Sequence, residues 1–196
     1  MTKNKHEKVT GSSATGESTL FKVLHWSIAV LIVFQGLLGA ANLRIAWLQA
    51  HLASAIVVHE EIGLLILLLT LSLFIIRIIT GRRSGAGAQP SHQLWAKMVH
   101  GAFYMLILVE CAIGIWMMGL LGKGLTILAW HMPLPMTPDP RFVFSNVLQW
   151  HAAVALMLAF LIVIHSGAAL YHHYVLRDHT LTRMLPVRLS RTDPKS

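Results

Sequence analysis

The apolar residues of this chain neither alternate with polar ones nor thin out every few positions. They run on, four times. The runs extend from about Leu20 to Leu43, Ala53 to Ile79, Leu94 to Leu121 and Val147 to Tyr171. Each is near or above the roughly 20 residues with which a helix crosses about 30 Å of hydrocarbon. Lipid tolerates only structures that satisfy their own backbone, namely helices and closed barrels, and these runs lack the alternation of barrel strands. The pattern predicts an all-α fold, an integral membrane four-helix bundle over residues 20–176. A polar segment over 1–19 is expected to be a disordered cytoplasmic tail, and 177–196 a short basic cytoplasmic tail. Thr80–Gln93 is expected to be a flexible loop. Gly122–Phe142 is the one long connection, too rich in Pro and Gly to continue a helix.

Composition agrees. Of 196 residues, 55% are hydrophobic and 12% charged, and the mean hydropathy is +0.62. Soluble domains carry about 25% charged residues. The apolar run after the N-terminal segment is too long for a cleaved leader. The single Cys111 offers no intramolecular disulfide and no CxxC metal site, and the CxxCH pattern of covalently attached haem is absent.

A net charge of +8 could suggest nucleic acid, but its distribution points to topology. Lys3, Lys5, Lys8 and Lys22 precede the first span. Arg77, Arg82, Arg83 and Lys97 fall between the second and third, and Arg177, Arg183, Arg188, Arg191 and Lys195 after the fourth. Only Arg44, Lys123 and Arg141 fall on the other side. This is the positive-inside pattern, with both termini cytoplasmic.

Histidines supply the candidate chemistry. His151 and His165 stand at the two ends of the fourth span, and fourteen residues of helix separate them by roughly 21 Å and about 40° of rotation. They share a face, one near each membrane surface. His25 enters the first span at the inner level of His165, and His59 enters the second at the outer level of His151. Two imidazole pairs at two depths suit two haems stacked across a membrane. Bis-imidazole iron is six-coordinate and favours electron transfer over oxygen binding. His100, in the third span, lies at the same inner level, and spacing does not exclude it as a ligand. A histidine-lined metal transporter would use the same residue type, since imidazole suits several metals.

These residues resemble the bacterial cytochrome b561 family over nearly the whole chain from Phe21 to Pro186. The carriers are "LHW" (Leu24–Trp26), His59 with Gly63, "MVHGAFY" (Met98–Tyr104), "QWH" (Gln149–His151) and "IHSGAALYHHYVLRDHTLTRMLP" (Ile164–Pro186). The last stretch is the most specific and is similar to the small four-helix branch that includes superoxide oxidase. The resemblance implies two haems b, with His25 and His165 holding the inner one and His59 and His151 the outer. It implies electron exchange with ubiquinone in the inner membrane and, in that branch, oxidation of periplasmic superoxide to oxygen. A quinone-linked membrane anchor serving a separate redox protein is the alternative within electron transfer.

Other residues invite readings. Glu60 and Glu61 beside His59 could lower the outer haem's potential, accept protons or face solvent. Glu110, near the middle of the third span, should be neutral or paired inside the bundle, since an ionised carboxylate is costly there. Gln35 is expected to face it. Arg77 and Lys97 either pair with haem propionates or snorkel. Gly63 would clear room for a porphyrin, His51 would cap the second span, and Trp130 with His131 would cover the outer haem edge or a quinone pocket. Trp47, Trp116, Trp130 and Trp150 read as an outer interfacial belt.

Overall fold

The computed structural model describes residues 13–42, 50–80, 90–127, 130–178 and 180–185. Four long helices dominate: α1 (Ser13–Asn42), α2 (Leu52–Ile79), α3 (Pro90–Leu120) and α4 (Pro140–Tyr174). All four are long and apolar enough to cross a membrane. A two-stranded antiparallel hairpin, β1 (Leu125–Ile127) with β2 (Trp130–Met132), lies between α3 and α4. A short helix α5 (Thr180–Met184) follows α4. The tail segment 1–12 and the basic residues from 186 onward lie outside the described residues, as do Arg44, Trp47, Arg82 and Arg83.

The helices begin earlier than the apolar runs suggest. α1 starts at Ser13, within the expected tail, and α3 at Pro90, within the expected loop. α4 starts at Pro140, inside the connection read as too rich in Pro for a helix. The cause there is local. Asp139 accepts a bond from the Phe142 N–H through Oδ1 at 3.1 Å, and Pro140 follows at the first turn. A proline at that position loses no helical hydrogen bond and brings a preset φ. Val143–Val147 then form a π turn before the α-helix resumes at Leu148. Val143 and Val147 are almost fully buried, so the wide turn is held by packing.

α1 packs on α2, α2 on α3 and α3 on α4, while the hairpin rests on α2 and α3. Ile28, Ile66, Leu73, Ile107 and Leu158 form the buried core, drawn from all four helices. The outer faces are apolar too: Leu37, Leu68, Met105, Leu156 and Phe160 all point outward. In water such a surface would be a large liability, whereas against lipid tails it is the expected one. At the end where the chain starts and finishes, Trp26 Nε1 donates to the Met184 carbonyl at 2.8 Å, which folds α5 back onto α1. The C-terminal segment is therefore more than a trailing tail. This is termed the terminal end below, and the opposite one the hairpin end.

Candidate functional site

The bundle presents its polar interior in two layers with the apolar core between them. Leu158 lies midway between His151 and His165 on α4 and belongs to that core.

At the hairpin end, His59 of α2 faces His151 of α4 with ring centroids 6.0 Å apart and planes at 69°. Gly39 of α1 and Gly114 of α3 approach the Cε1 edges of these rings. A Cβ on Gly39 would lie 3.8 Å from His59, and one on Gly114 3.7 Å from His151. Glu110, one turn before Gly114, brings Oε1 to 3.3 Å from His151 Nδ1. That is ion-pair range, but the two groups are not aligned as a hydrogen bond, and His59 Nδ1, His151 Nδ1 and Glu110 Oε2 are buried without hydrogen-bond partners. Gln35 turns its amide nitrogen to the backbone carbonyl of His59 rather than to Glu110. A Cβ on Gly63 would meet that amide at 3.5 Å, so Gly63 makes room for Gln35. Trp116 and Trp150 stack at 6.0 Å beside this layer, with Phe142 edge-on to both.

At the terminal end, His25 of α1 faces His165 of α4 with centroids 6.5 Å apart and planes at 63°. His100 of α3 joins them, 5.7 Å from His165, so the depth reading of three inner imidazoles matches their positions. His100 Nδ1 lies 2.5 Å from the Ala96 carbonyl of its own helix. Phe103 packs edge-on to His165 at 5.3 Å. Arg77 is half-buried and places Cζ 5.9 Å from the centre of the Tyr104 ring, a cation–π contact between α2 and α3. His172 and Asp178 form a second His–carboxylate pair at 2.6 Å, past the end of the apolar run.

Some expectations are corrected. His51 occupies the cap position of α2 but makes no side-chain cap bond; its backbone carbonyl accepts from Ala55 instead. Trp130 stands on the hairpin 82% exposed. Glu110 lies at the level of the His59–His151 pair. Helical rise gives its level, near His151, but no signal in the sequence gives the face of α3 that brings the two together. The glycines at 39 and 114 carried no comparable signal.

The donor set fits haem. An imidazole–metal bond of about 2.0 Å puts the metal roughly 3 Å from the ring centre, so two trans imidazoles stand about 6 Å apart. Both cross-bundle pairs lie at that separation. The buried, unpartnered Nδ1 atoms and the bare glycine backbones beside the rings suit imidazoles that coordinate through Nε2. Among the described residues, no three His, Cys, Asp or Glu side chains gather as a site for a bare metal ion.

Four membrane-length helices with paired interior imidazoles define a class: membrane haem b proteins that carry electrons. Within that class, the chain belongs to the prokaryotic cytochrome b561 family, whose sequence model matches residues 18–187. It is 28% identical to cytochrome b561 homolog 1 of Escherichia coli K12 over 84% of this chain and 94% of that protein. It is likewise 28% identical to the probable superoxide oxidase CybB of Yersinia pestis, over 83% of this chain and 92% of that one. Identity to the cytochrome b562 of Cereibacter sphaeroides is 29%, over 88% and 97% of the two chains. The protein is thus a multi-pass membrane cytochrome that binds haem b and functions in electron transfer.

Proposed function

We propose that this protein is a dihaem cytochrome b of the bacterial inner membrane that oxidises periplasmic superoxide to oxygen and reduces ubiquinone. The observation that carries the reading is the pair of imidazole couples at opposite levels of the bundle, 6.0 and 6.5 Å between ring centres. His59 and His151 hold one haem, and His25 and His165 the other. The family resemblance, rather than ring geometry, favours His25 over His100 as the partner of His165, since His100 stands 5.7 Å from that ring and His25 6.5 Å. Bound there, the haems supply reversible one-electron chemistry at two depths.

The stoichiometry closes without another reactant. Two superoxide anions each surrender one electron and become oxygen, while one quinone takes two electrons and two protons. The protein's own residues do the rest. The imidazole nitrogens bind and orient. The Ile28–Ile66–Ile107–Leu158 core keeps water out between the layers. At the hairpin end Lys123 and Arg141 are exposed and offer an anion local positive charge, beside the carboxylates of Glu60, Glu61 and Asp139, the last of which caps α4. The likeness to the probable superoxide oxidase CybB supports the substrate assignment.

Stopped-flow mixing of the purified, haem-loaded protein with superoxide tests this. Haem reduction should follow mixing, vanish when superoxide dismutase is added first, and reverse on addition of ubiquinone. Haems that dithionite reduces but superoxide does not would overturn the activity and leave the role of a quinone-linked anchor.

A further inference from the structure

Glu110 is the only Asp or Glu in α3, and it faces the bundle interior with its side chain 16% exposed. Placing a carboxyl there is expensive unless it has a partner. Its near neighbour is Nδ1 of His151, 3.3 Å from Oε1. Both groups carry a buried polar atom with no other bond, and buried polar groups rarely stay unpaired. Nδ1 is also the nitrogen that a ligand bound through Nε2 leaves free to donate.

We propose that Glu110 is the positioning residue of the hairpin-end haem. Its carboxyl oxygen accepts a hydrogen bond from His151 Nδ1–H, fixes the tautomer that presents Nε2 to iron, and makes this haem the lower-potential one of the two. The inference rests on the reading of His151 as a haem ligand. Drawing the Nδ1 proton toward a carboxyl makes the imidazole a stronger electron donor. A stronger donor stabilises ferric over ferrous iron. The terminal-end layer has the opposite character. The groups beside His165 there are the His100 and His25 imidazoles and Phe103, with Arg77 on the next turn of packing against Tyr104. Cationic and neutral donors favour ferrous iron. An acid at one layer and bases at the other tilt the pair, so that an electron entering at the hairpin end runs downhill toward the terminal end.

The test is a spectroelectrochemical redox titration of purified, haem-loaded wild type, Glu110→Gln and Glu110→Leu, beside His151→Ala. Wild type should titrate in two components. The nearly isosteric Glu110→Gln keeps an oxygen acceptor but no acidic group, and should raise the lower component alone. Glu110→Leu removes the acceptor and should raise it further, by a tenfold shift in the reduced-to-oxidised ratio at fixed potential, about 59 mV for one electron. The higher component should stay put. A single wild-type component, a lower component that does not move in Glu110→Gln, or equal movement of both components in it would overturn the proposal. Loss of the haem from Glu110→Leu alone leaves the Glu110→Gln result to decide. His151→Ala separates this from the underlying reading: if it retains two haems, the ligand assignment has failed, whatever Glu110 does.

Discussion

Each histidine of the two couples has a single facing partner across the bundle at the hairpin end, and a crowded one at the terminal end. Replacing His59 or His151 by alanine removes the one facing imidazole of this layer among the described residues, 6.0 Å away. Each variant should therefore drop from two haems per chain to one, measured by pyridine haemochrome against protein concentration, with the terminal-end haem kept. His25→Ala is expected to behave differently. His100 stands 5.7 Å from His165, at a separation that also suits trans ligation, so partial haem retention at that layer is expected. The four histidines were legible as pairs because helical rise converts sequence position into depth. Their immediate neighbours were not. Nothing in one sequence says which face of α3 turns inward, so Glu110 could be recognised as anomalous without its partner, and Gln35 was assigned to the wrong one.

At the scale of elements, the apolar runs gave the four spans and hid their ends. A proline reads as an interruption when only hydropathy is followed, yet Pro90 and Pro140 both open helices. The hairpin was hidden for a related reason: three residues per strand are too few for alternation to register. The start of α4 has a definite energetic handle. Asp139→Ala removes the side-chain acceptor of the Phe142 N–H and should cost about 1 kcal/mol at the helix start. The π turn at Val143–Val147 stands between that start and His151, so the loss should show locally. On heating the detergent-solubilised variant, the hairpin-end haem signal should fail before the terminal-end one, and earlier than in wild type. Simultaneous loss of both at the wild-type temperature would mean the cap contributes nothing.

For the molecule as a whole, orientation is the property on which the direction of electron flow depends. Among the described residues Lys22, Arg77, Lys97 and Arg177 stand toward the terminal end, and the rule that cytoplasmic loops carry the excess of Lys and Arg predicts that this end faces the cytoplasm. Reporter fusions check it. Alkaline phosphatase joined after Met184 should be inactive and a fluorescent protein there bright, with the opposite result for insertion in the Pro133–Pro138 segment. The reversed pattern would turn the proposed superoxide route inside out.

α4 supplies one imidazole to each layer, and no other helix does. It acts as a gauge rod: the fourteen-residue interval from His151 to His165 sets the rise and the azimuth of both histidine layers at once. One residue added between them would swing the far imidazole by about 100° while the near one stays seated. On the proposed ligand assignment, the lipid-facing positions of that interval tolerate substitution, whereas its length does not tolerate change.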